Sequence, residues 1–112
     1  MATKIAEADG IYISTPEWNF TISSALKNVL DWLSRANGSN PNPLASKPVA
    51  IASVTAGNSG GLRAQYDLRK SLLYFKCHTM GLPELSVTEN YMKVDKFREP
   101  KALNTFVDEK TK

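Results

Sequence analysis

Two short segments of this 112-residue chain combine small, polar and aromatic residues in a way that suits a binding site. Residues 15–19 read Thr-Pro-Glu-Trp-Asn, and residues 55–61 read Thr-Ala-Gly-Asn-Ser-Gly-Gly. Small residues let main-chain N–H groups approach a flat ligand closely, and an aromatic side chain such as Trp18 can stack on its face. The two segments are therefore candidate parts of a ligand-binding site.

Nucleophilic and metal-binding residue types form no comparable pattern in the sequence. Ser53, Thr55 and Ser59 carry hydroxyl groups, but no nucleophile-elbow sequence surrounds them. The only cysteine, Cys77, neighbours the only histidine, His78, which fits neither a zinc site nor an internal disulfide. We predict no catalytic side chain and no metal ligand.

Apolar periodicity predicts the elements that position the two segments. Residues 10–15 form a β-branched-rich run that stops at Pro16, and residues 48–54 form a nearly continuous apolar run, typical of a buried strand. Helical spacing of apolar residues follows at 22–33 and again at 64–75. The stripe of the first helix consists of Ile22, Leu26, Val29 and Leu33, widened by Ala25 and Leu30, and that of the second consists of Ala64, Leu68, Leu72 and Phe75. Trp32 is assigned to the core beside Leu33.

The alternation of strand and helix predicts a parallel sheet, because short connections of this kind favour right-handed crossovers. A third strand is predicted within residues 85–88 or 91–94, and Thr21, Ser23 or Ser24 can cap the first helix. Ligands of open parallel sheets bind beyond the carboxyl ends of the strands. Since both segments follow strands, we expect them to form one shared site.

The same residues resemble the NADPH-dependent FMN reductase-like family. Residues 14–19, followed by Ala-Leu-Lys-Asn at 25–28 and Asp-Trp at 31–32, are similar to the family's Pro-Glu-Tyr-Asn loop and the helix after it. Residues 57–65, which follow the strand that begins after Lys47, are similar to the family's other loop, in which a Ser-Gly-Gly-Leu-Arg run follows the fourth strand. Order and spacing agree across about residues 5–85.

The resemblance implies a flavodoxin-like, three-layer α/β sandwich with a parallel sheet. Residues 1–112 would form a single partial domain that supplies strands three to five of the usual five. In the family, the two loops hold the isoalloxazine ring of FMN, largely through backbone amides directed at its polar edge. The cofactor-binding residues implied in this way are Thr15, Pro16, Glu17, Trp18, Asn19, Thr55, Ala56, Gly57, Asn58, Ser59, Gly60 and Gly61.

The activity implied by the resemblance is reduction of a flavin, a quinone or a similar acceptor by NADPH or NADH, with FMN as cofactor. Hydride passes between stacked nicotinamide and flavin rings, so no side-chain acid or base is obligatory. The alternative is a shortened, non-catalytic relative that acts as a binding or assembly module. Arg63 is either a solvated residue of a first helical turn or a contact to a flavin or nicotinamide phosphate.

Three features differ from the family's pattern. Trp18 replaces the usual tyrosine, and Phe20 stands where glycine is usual, so two large rings crowd the first loop. The family's first strand and its Ser- and Arg-rich phosphate loop are expected before residue 1, and residues 1–9 do not resemble them. We therefore expect weak FMN binding. The strand at 11–15 should present an open edge, which together with the helix at 22–33 predicts a homo-oligomer.

Composition and charge are those of one globular domain, with 42% hydrophobic and 22% charged residues. The net charge of +3 arises in residues 61–112, where ten Lys and Arg face seven Asp and Glu. Basic and acidic residues alternate around 93–101, which favours a solvated surface over a nucleic-acid site. The sequence contains neither 18 consecutive apolar residues nor a signal-like run, so we expect a cytoplasmic chain that binds no membrane.

Overall fold

The structure, a computed structural model, describes residues 1–35 and 42–88. Strands and helices alternate as the sequence predicts up to residue 79, after which a further strand follows without an intervening helix. The strand at 85–88 is confirmed, whereas the alternative at 91–94 lies outside the described residues. In chain order the elements are α1 (Ala2–Glu7), β1 (Ile11–Pro16), α2 (Ser24–Leu33), β2 (Pro48–Val54), α3 (Leu62–Tyr74), β3 (His78–Thr79) and β4 (Leu85–Val87).

The four strands form one parallel sheet around β2. On one side, β1 pairs with β2 along its whole length, ending with Pro16 opposite Val54. On the other side, β2 pairs first with β3 and then with β4, so these two short strands lie along the same edge of β2. Val87 of β4 is also paired with Val54. The carboxyl ends of β1, β2 and β4 therefore lie side by side.

The helices of the described residues pack against one face of this sheet. Val49 and Ile51 of β2 point to that face and join the same buried cluster as residues of α2 and α3. Tyr12 of β1 points to the opposite face and is 62% exposed. The cluster consists of Ile22, Leu30, Leu33, Leu44, Val49, Ile51, Ala64, Leu68, Leu72 and Phe75.

Helix α2 begins at the Ser23 cap, whose hydroxyl oxygen accepts the main-chain N–H of Leu26 at 3.2 Å. Of the predicted stripe, Ile22, Leu30 and Leu33 are buried, Leu26 and Val29 are partly buried against the core, and Ala25 is exposed. Trp32 is 72% exposed. The prediction that Trp32 belongs to the core is wrong. Trp32 lies about 200° around the helix from Leu30, which turns its ring away from the buried stripe.

Helix α3 buries the predicted stripe of Ala64, Leu68 and Leu72, each 0% exposed. Gln65 is also 0% exposed, although it is polar and was not predicted to be buried. Its position three residues before Leu68 and seven before Leu72 places it on the same side of the helix. The sequence signal for this buried position is a polar residue, Gln65, on the apolar side of the helix.

Helix α1 was not predicted from the sequence, and Lys47 attaches it to the sheet. The Lys47 ammonium donates to the carbonyl oxygens of Ala6 at 2.8 Å and Ala8 at 2.6 Å. These carbonyls lie at the end of α1, where a helix has no internal donors for its last carbonyl groups. A cation at this end is favourable, so Lys47 fixes the helix just before β1 begins.

Candidate functional site

The candidate site consists of two loops at the carboxyl ends of adjacent strands. We call residues 17–20, which follow β1, the aromatic loop, and residues 55–61, which follow β2, the glycine loop. Because Pro16 is paired with Val54, the two loops leave the sheet at the same level. The main-chain N–H of Thr55 also donates to the carbonyl of Val87 at 3.1 Å, which ties the glycine loop to β4.

The aromatic loop folds back as a two-residue turn. The N–H of Trp18 donates to the carbonyl of Thr21 at 2.9 Å, and the N–H of Thr21 donates to the carbonyl of Trp18 at 3.0 Å. The residues between them, Asn19 and Phe20, have φ angles of 50° and 68°, as in a type I′ turn. Asparagine tolerates this left-handed region, whereas a bulky residue such as phenylalanine is strained there. The turn leaves the rings of Trp18 and Phe20 exposed.

Glu17 joins the two loops through its carboxylate. One carboxylate oxygen accepts the Ser59 hydroxyl at 3.3 Å and a guanidinium N–H of Arg63 at 3.2 Å. The other oxygen accepts the main-chain N–H of Arg63 at 3.1 Å. Arg63 is the second residue of α3, so the carboxylate also caps the positive end of that helix. The Glu17 side chain is only 6% exposed, and its contacts join the aromatic loop to Ser59 of the glycine loop and to Arg63 in the first turn of α3.

Arg63 makes a second contact with the aromatic loop. Its guanidinium carbon lies 4.1 Å from the centre of the Phe20 ring, a cation–π arrangement. The Arg63 side chain remains 53% exposed. Sequence reasoning left Arg63 as either a solvated or a phosphate-binding residue, and it missed this bridging position between Glu17 and Phe20.

The glycine loop needs glycine at two adjacent positions. Gly60 and Gly61 have φ angles of 61° and 80°, a conformation that is unfavourable for residues with a side chain. A Cβ atom on Gly60 would lie 2.9 Å from the Ser86 Cβ, and one on Gly61 would lie 2.6 Å from the Ser53 Cβ. These two glycines let the loop lie directly on β2 and β4.

A buried set of hydrogen bonds lies beneath the glycine loop. The Ser53 hydroxyl donates to the carbonyl of Gly60 at 2.6 Å and accepts from the side-chain amide nitrogen of Gln65 at 2.8 Å. The same nitrogen donates to the carbonyl of Leu85 at 2.9 Å. Neither Gln65 nor the role of Ser53 as a hydrogen-bond partner was predicted from the sequence.

The twelve residues proposed from the sequence fall into three groups by burial. Trp18, Asn19, Ala56, Gly57 and Asn58 are exposed at the tips of the loops, whereas Thr15, Gly60 and Gly61 are buried beneath them. The other four, Pro16, Glu17, Thr55 and Ser59, are partly buried.

Main-chain donors remain available at the loop tips. Among the bonds made within the described ranges, none uses the main-chain N–H of Asn19, Ala56, Asn58 or Ser59. An unpaired N–H group must bond to water or a ligand. The two loops thus offer several such groups in a fixed arrangement.

Two titratable groups near the helices are shifted from their ordinary values. The Thr21 hydroxyl and Lys70 hold the pKa of Asp67 below its ordinary value. Burial raises the pKa of the Cys77 thiol, which lies 3.4 Å from the carbonyl oxygen of Leu44, in the packed region around Phe75 rather than at the loops. Across residues 1–35 and 42–88, no three His, Cys, Asp or Glu side chains are grouped as metal ligands, and no helix is long and apolar enough to cross a membrane.

A match to a known protein family assigns the chain that carries these two loops. The model of the NADPH-dependent FMN reductase family matches residues 1–91. The chain belongs to this family. The resemblance recognised from the two loops is therefore confirmed.

Named relatives of this FMN reductase-family chain agree with the assignment. It is 42% identical to the quinone reductase of Escherichia coli K12 over 95 residues, which are 85% of this chain and 49% of that protein. It is 43% identical to the NADPH:quinone oxidoreductase of Arabidopsis thaliana over 109 residues, 97% of this chain and 51% of that protein. The chain thus spans about half the length of these curated relatives.

A solved structure confirms the fold class. The flavoenzyme FerB of Paracoccus denitrificans, an NAD(P)H:(acceptor) oxidoreductase, matches with a TM-score of 0.68 and 28% identity. The match covers 96% of this chain and 63% of FerB. This family member therefore has the flavodoxin-like α/β fold predicted from its sequence, and the sheet formed by its described residues is incomplete.

Proposed function

We propose that this chain binds the ring of FMN at the tips of the aromatic and glycine loops and takes part in the reduction of a quinone or flavin by NADPH or NADH. One observation carries the proposal: Glu17 fixes the two loops together while the N–H groups of Asn19, Ala56, Asn58 and Ser59 remain unpaired among the described residues. The names of the relatives from Escherichia coli and Arabidopsis thaliana support the proposed chemistry.

The residues at the loop tips fit the FMN ring. Its pyrimidine edge carries two carbonyl oxygens and an unprotonated ring nitrogen, which accept hydrogen bonds from donors of the kind that these loop amides supply. Trp18 is 61% exposed and offers an apolar face for a flat ligand. When bound, FMN accepts hydride from a nicotinamide and passes electrons to the acceptor.

The roles of the chain's own residues follow from this placement. Because Glu17 already accepts the N–H of Arg63, the donors left for the ring are the loop amides that precede α3. Fixed amide dipoles at the ring edge stabilise the negative charge that develops there on reduction. Thr15, Gly60 and Gly61 are buried and support the loops from beneath. The weak FMN binding expected from the sequence remains a prediction.

A paired substitution tests the role of the loop amides. Asn58→Pro removes one unpaired N–H, whereas Asn58→Ala retains it and removes only an exposed side chain. Oxidation of NADPH and NADH is followed with a quinone acceptor, with and without added FMN. We expect activity that depends on FMN, that is retained by Asn58→Ala and that is reduced by Asn58→Pro. Activity independent of FMN, or equal in both variants, contradicts the proposal.

We also propose that the chain forms a homo-oligomer through β1 and α2. Within residues 1–35 and 42–88, β1 pairs on one side only, so its other edge retains free main-chain donors and acceptors. Such an edge favours pairing with another chain. Sedimentation at micromolar concentration tests this, since a well-folded monomer contradicts it. The proposed compartment is the cytoplasm, where reduced nicotinamide nucleotides are available.

The edge of β1 also favours a second candidate function, that of a non-catalytic assembly module. Tyr12 supports it, because within residues 1–35 and 42–88 its large ring is exposed beside the edge of β1 that has no pairing strand, which suits contact with another protein. The two candidates separate in one comparison. The assembly module associates but shows no saturable binding of flavin, whereas the reductase binds flavin at the loops.

A further inference from the structure

We propose that Gln65 is a positioning residue that sets the orientation of the glycine loop through a buried hydrogen-bond chain. These hydrogen bonds run from Gln65 to Ser53 and from Ser53 to Gly60. Gln65 is 0% exposed and therefore acts on a ligand only through the loop. The inference rests on the proposed binding of a flavin ring at the loop tips.

The number of protons on the Gln65 amide nitrogen and on the Ser53 hydroxyl fixes the direction of each of these hydrogen bonds. A side-chain amide nitrogen has two protons, and those of Gln65 go to the Ser53 hydroxyl oxygen at 2.8 Å and the Leu85 carbonyl at 2.9 Å. A hydroxyl has a single proton, and that of Ser53 goes to the Gly60 carbonyl at 2.6 Å. The Gly60 carbonyl must therefore point down towards β2, which sets the plane of the peptide group between Gly60 and Gly61.

The steric surroundings of the two glycines make this orientation consequential. There is no room for a Cβ atom between Gly61 and Ser53, or between Gly60 and Ser86, so the loop lies at a set depth on the sheet. The peptide groups just before this point carry the N–H groups of Asn58 and Ser59, which have no partner among residues 1–35 and 42–88. A rotation of the Gly60 peptide group would therefore reorient the neighbouring donors.

Packing alone does not account for glutamine at this position. The side-chain oxygen of Gln65 is buried and has no hydrogen-bond partner among the described residues, which is unfavourable for stability. A leucine would continue the apolar stripe of Leu68 and Leu72 without burying an unpaired oxygen. The polar side chain is thus explained by what its nitrogen holds, namely the glycine loop through Ser53 and β4 through Leu85.

Asn42 provides a matched control within the same fold. Its side-chain nitrogen donates to the carbonyl of Phe75 at 3.0 Å, and its side-chain oxygen is likewise buried without a partner in the described part of the chain. Phe75 is the cap at the far end of α3. Both amides therefore hold an end of the same helix, but only Gln65 bonds towards the proposed flavin site.

The experiment compares Gln65→Leu, Ser53→Ala, their double variant and Asn42→Leu, each measured where it is fully folded. Binding of lumiflavin, which is the flavin ring without a phosphate, is followed by fluorescence. Amide signals of the ligand-free glycine loop are followed by NMR. We expect Gln65→Leu and Ser53→Ala each to weaken lumiflavin binding about tenfold, and Asn42→Leu to change it less than about twofold. The double variant should bind lumiflavin no more weakly than Gln65→Leu alone, because both changes break the same series of hydrogen bonds.

Two results would show that Gln65 does not position the glycine loop. Unchanged lumiflavin affinity in Gln65→Leu, or additive losses in the double variant, overturns the positioning role. If Gln65→Leu does not fold, Ser53→Ala carries the test through the same two measurements. If the unsubstituted chain binds no lumiflavin, the proposed function fails. The amide signals then decide the positioning role alone, since they must move in Gln65→Leu and stay in place in Asn42→Leu.

Discussion

The carboxylate of Glu17 accepts the main-chain N–H of Arg63 at 3.1 Å and so joins the aromatic loop to the first turn of α3, 46 residues away in sequence. The same carboxylate accepts the Ser59 hydroxyl and the Arg63 guanidinium, so its buried charge is fully partnered. Each loop therefore depends on the other for its position, before any ligand is bound.

Glu17→Gln should lower the free energy of unfolding by about 1–3 kcal/mol, because the amide offers one acceptor oxygen where the carboxylate offers two. Urea unfolding measures the change. The control is Asp31→Asn, which breaks the exposed Lys27–Asp31 pair of α2 and should cost no more than about 0.5 kcal/mol. Equal losses in the two variants would show that the Glu17 contacts contribute no more than a surface ion pair.

Phe20 is expected to respond differently to two substitutions. Phe20→Gly removes the strain of a left-handed φ but loses the contact with Arg63, whereas Phe20→Leu loses that contact and keeps the strain. We expect Phe20→Gly to be the more stable of the two by about 1 kcal/mol. Thermal unfolding of both variants tests this, and a more stable Phe20→Leu protein would refute the strain argument.

The glycines of the second loop should tolerate alanine very unequally. Gly61→Ala places a Cβ atom 2.6 Å from that of Ser53 at a φ of 80°, and we expect a loss of about 2–4 kcal/mol. A Cβ atom on Gly57 meets nothing within 4 Å, so Gly57→Ala should stay within about 0.5 kcal/mol of the unsubstituted chain. Denaturant unfolding compares them. Similar stabilities would mean that the loop does not lie on β2 as described.

Cys77 should react slowly with thiol reagents in the folded chain, because burial raises its pKa. Its reaction rate should reach half of its maximum at a higher pH than that of an exposed cysteine in a peptide. The folded state holds the thiol proton more tightly, so the associated stability is present below the ordinary thiol pKa and is lost as pH rises through the folded value. Cys77→Ala is the control, since it removes the only thiol. A rate profile like that of the peptide contradicts the burial.

The sequence predicted the main features of the fold and both loops because these depend on local patterns. The apolar run of β2 and the stripe of α3 carry their own periodicity, and turn residues mark where each strand ends. The contacts that assemble the site are non-local and could not be read in this way. Ser53 and Leu85 lie 12 and 20 residues from Gln65, and only the folded sheet brings all three together.

Local pattern also misleads where a residue is judged by its neighbour in sequence or where an element is very short. Trp32 stands next to buried Leu33, yet its ring is exposed because one residue turns the helix by about 100°. Strand β3 has two residues, too few for a period of two to be recognised. Its existence depends on pairing with Pro48 and Val49 rather than on its own composition.

Backbone amide signals of the 112-residue chain, followed by NMR during titration with FMN, test whether the two loops form one site for the flavin ring. We expect saturable changes concentrated at Asn19 and Phe20 and at residues 56–59, with weaker binding in Glu17→Gln. Changes confined to the sheet face that carries Tyr12, or no saturable change at millimolar FMN, would show that the loops do not form this site.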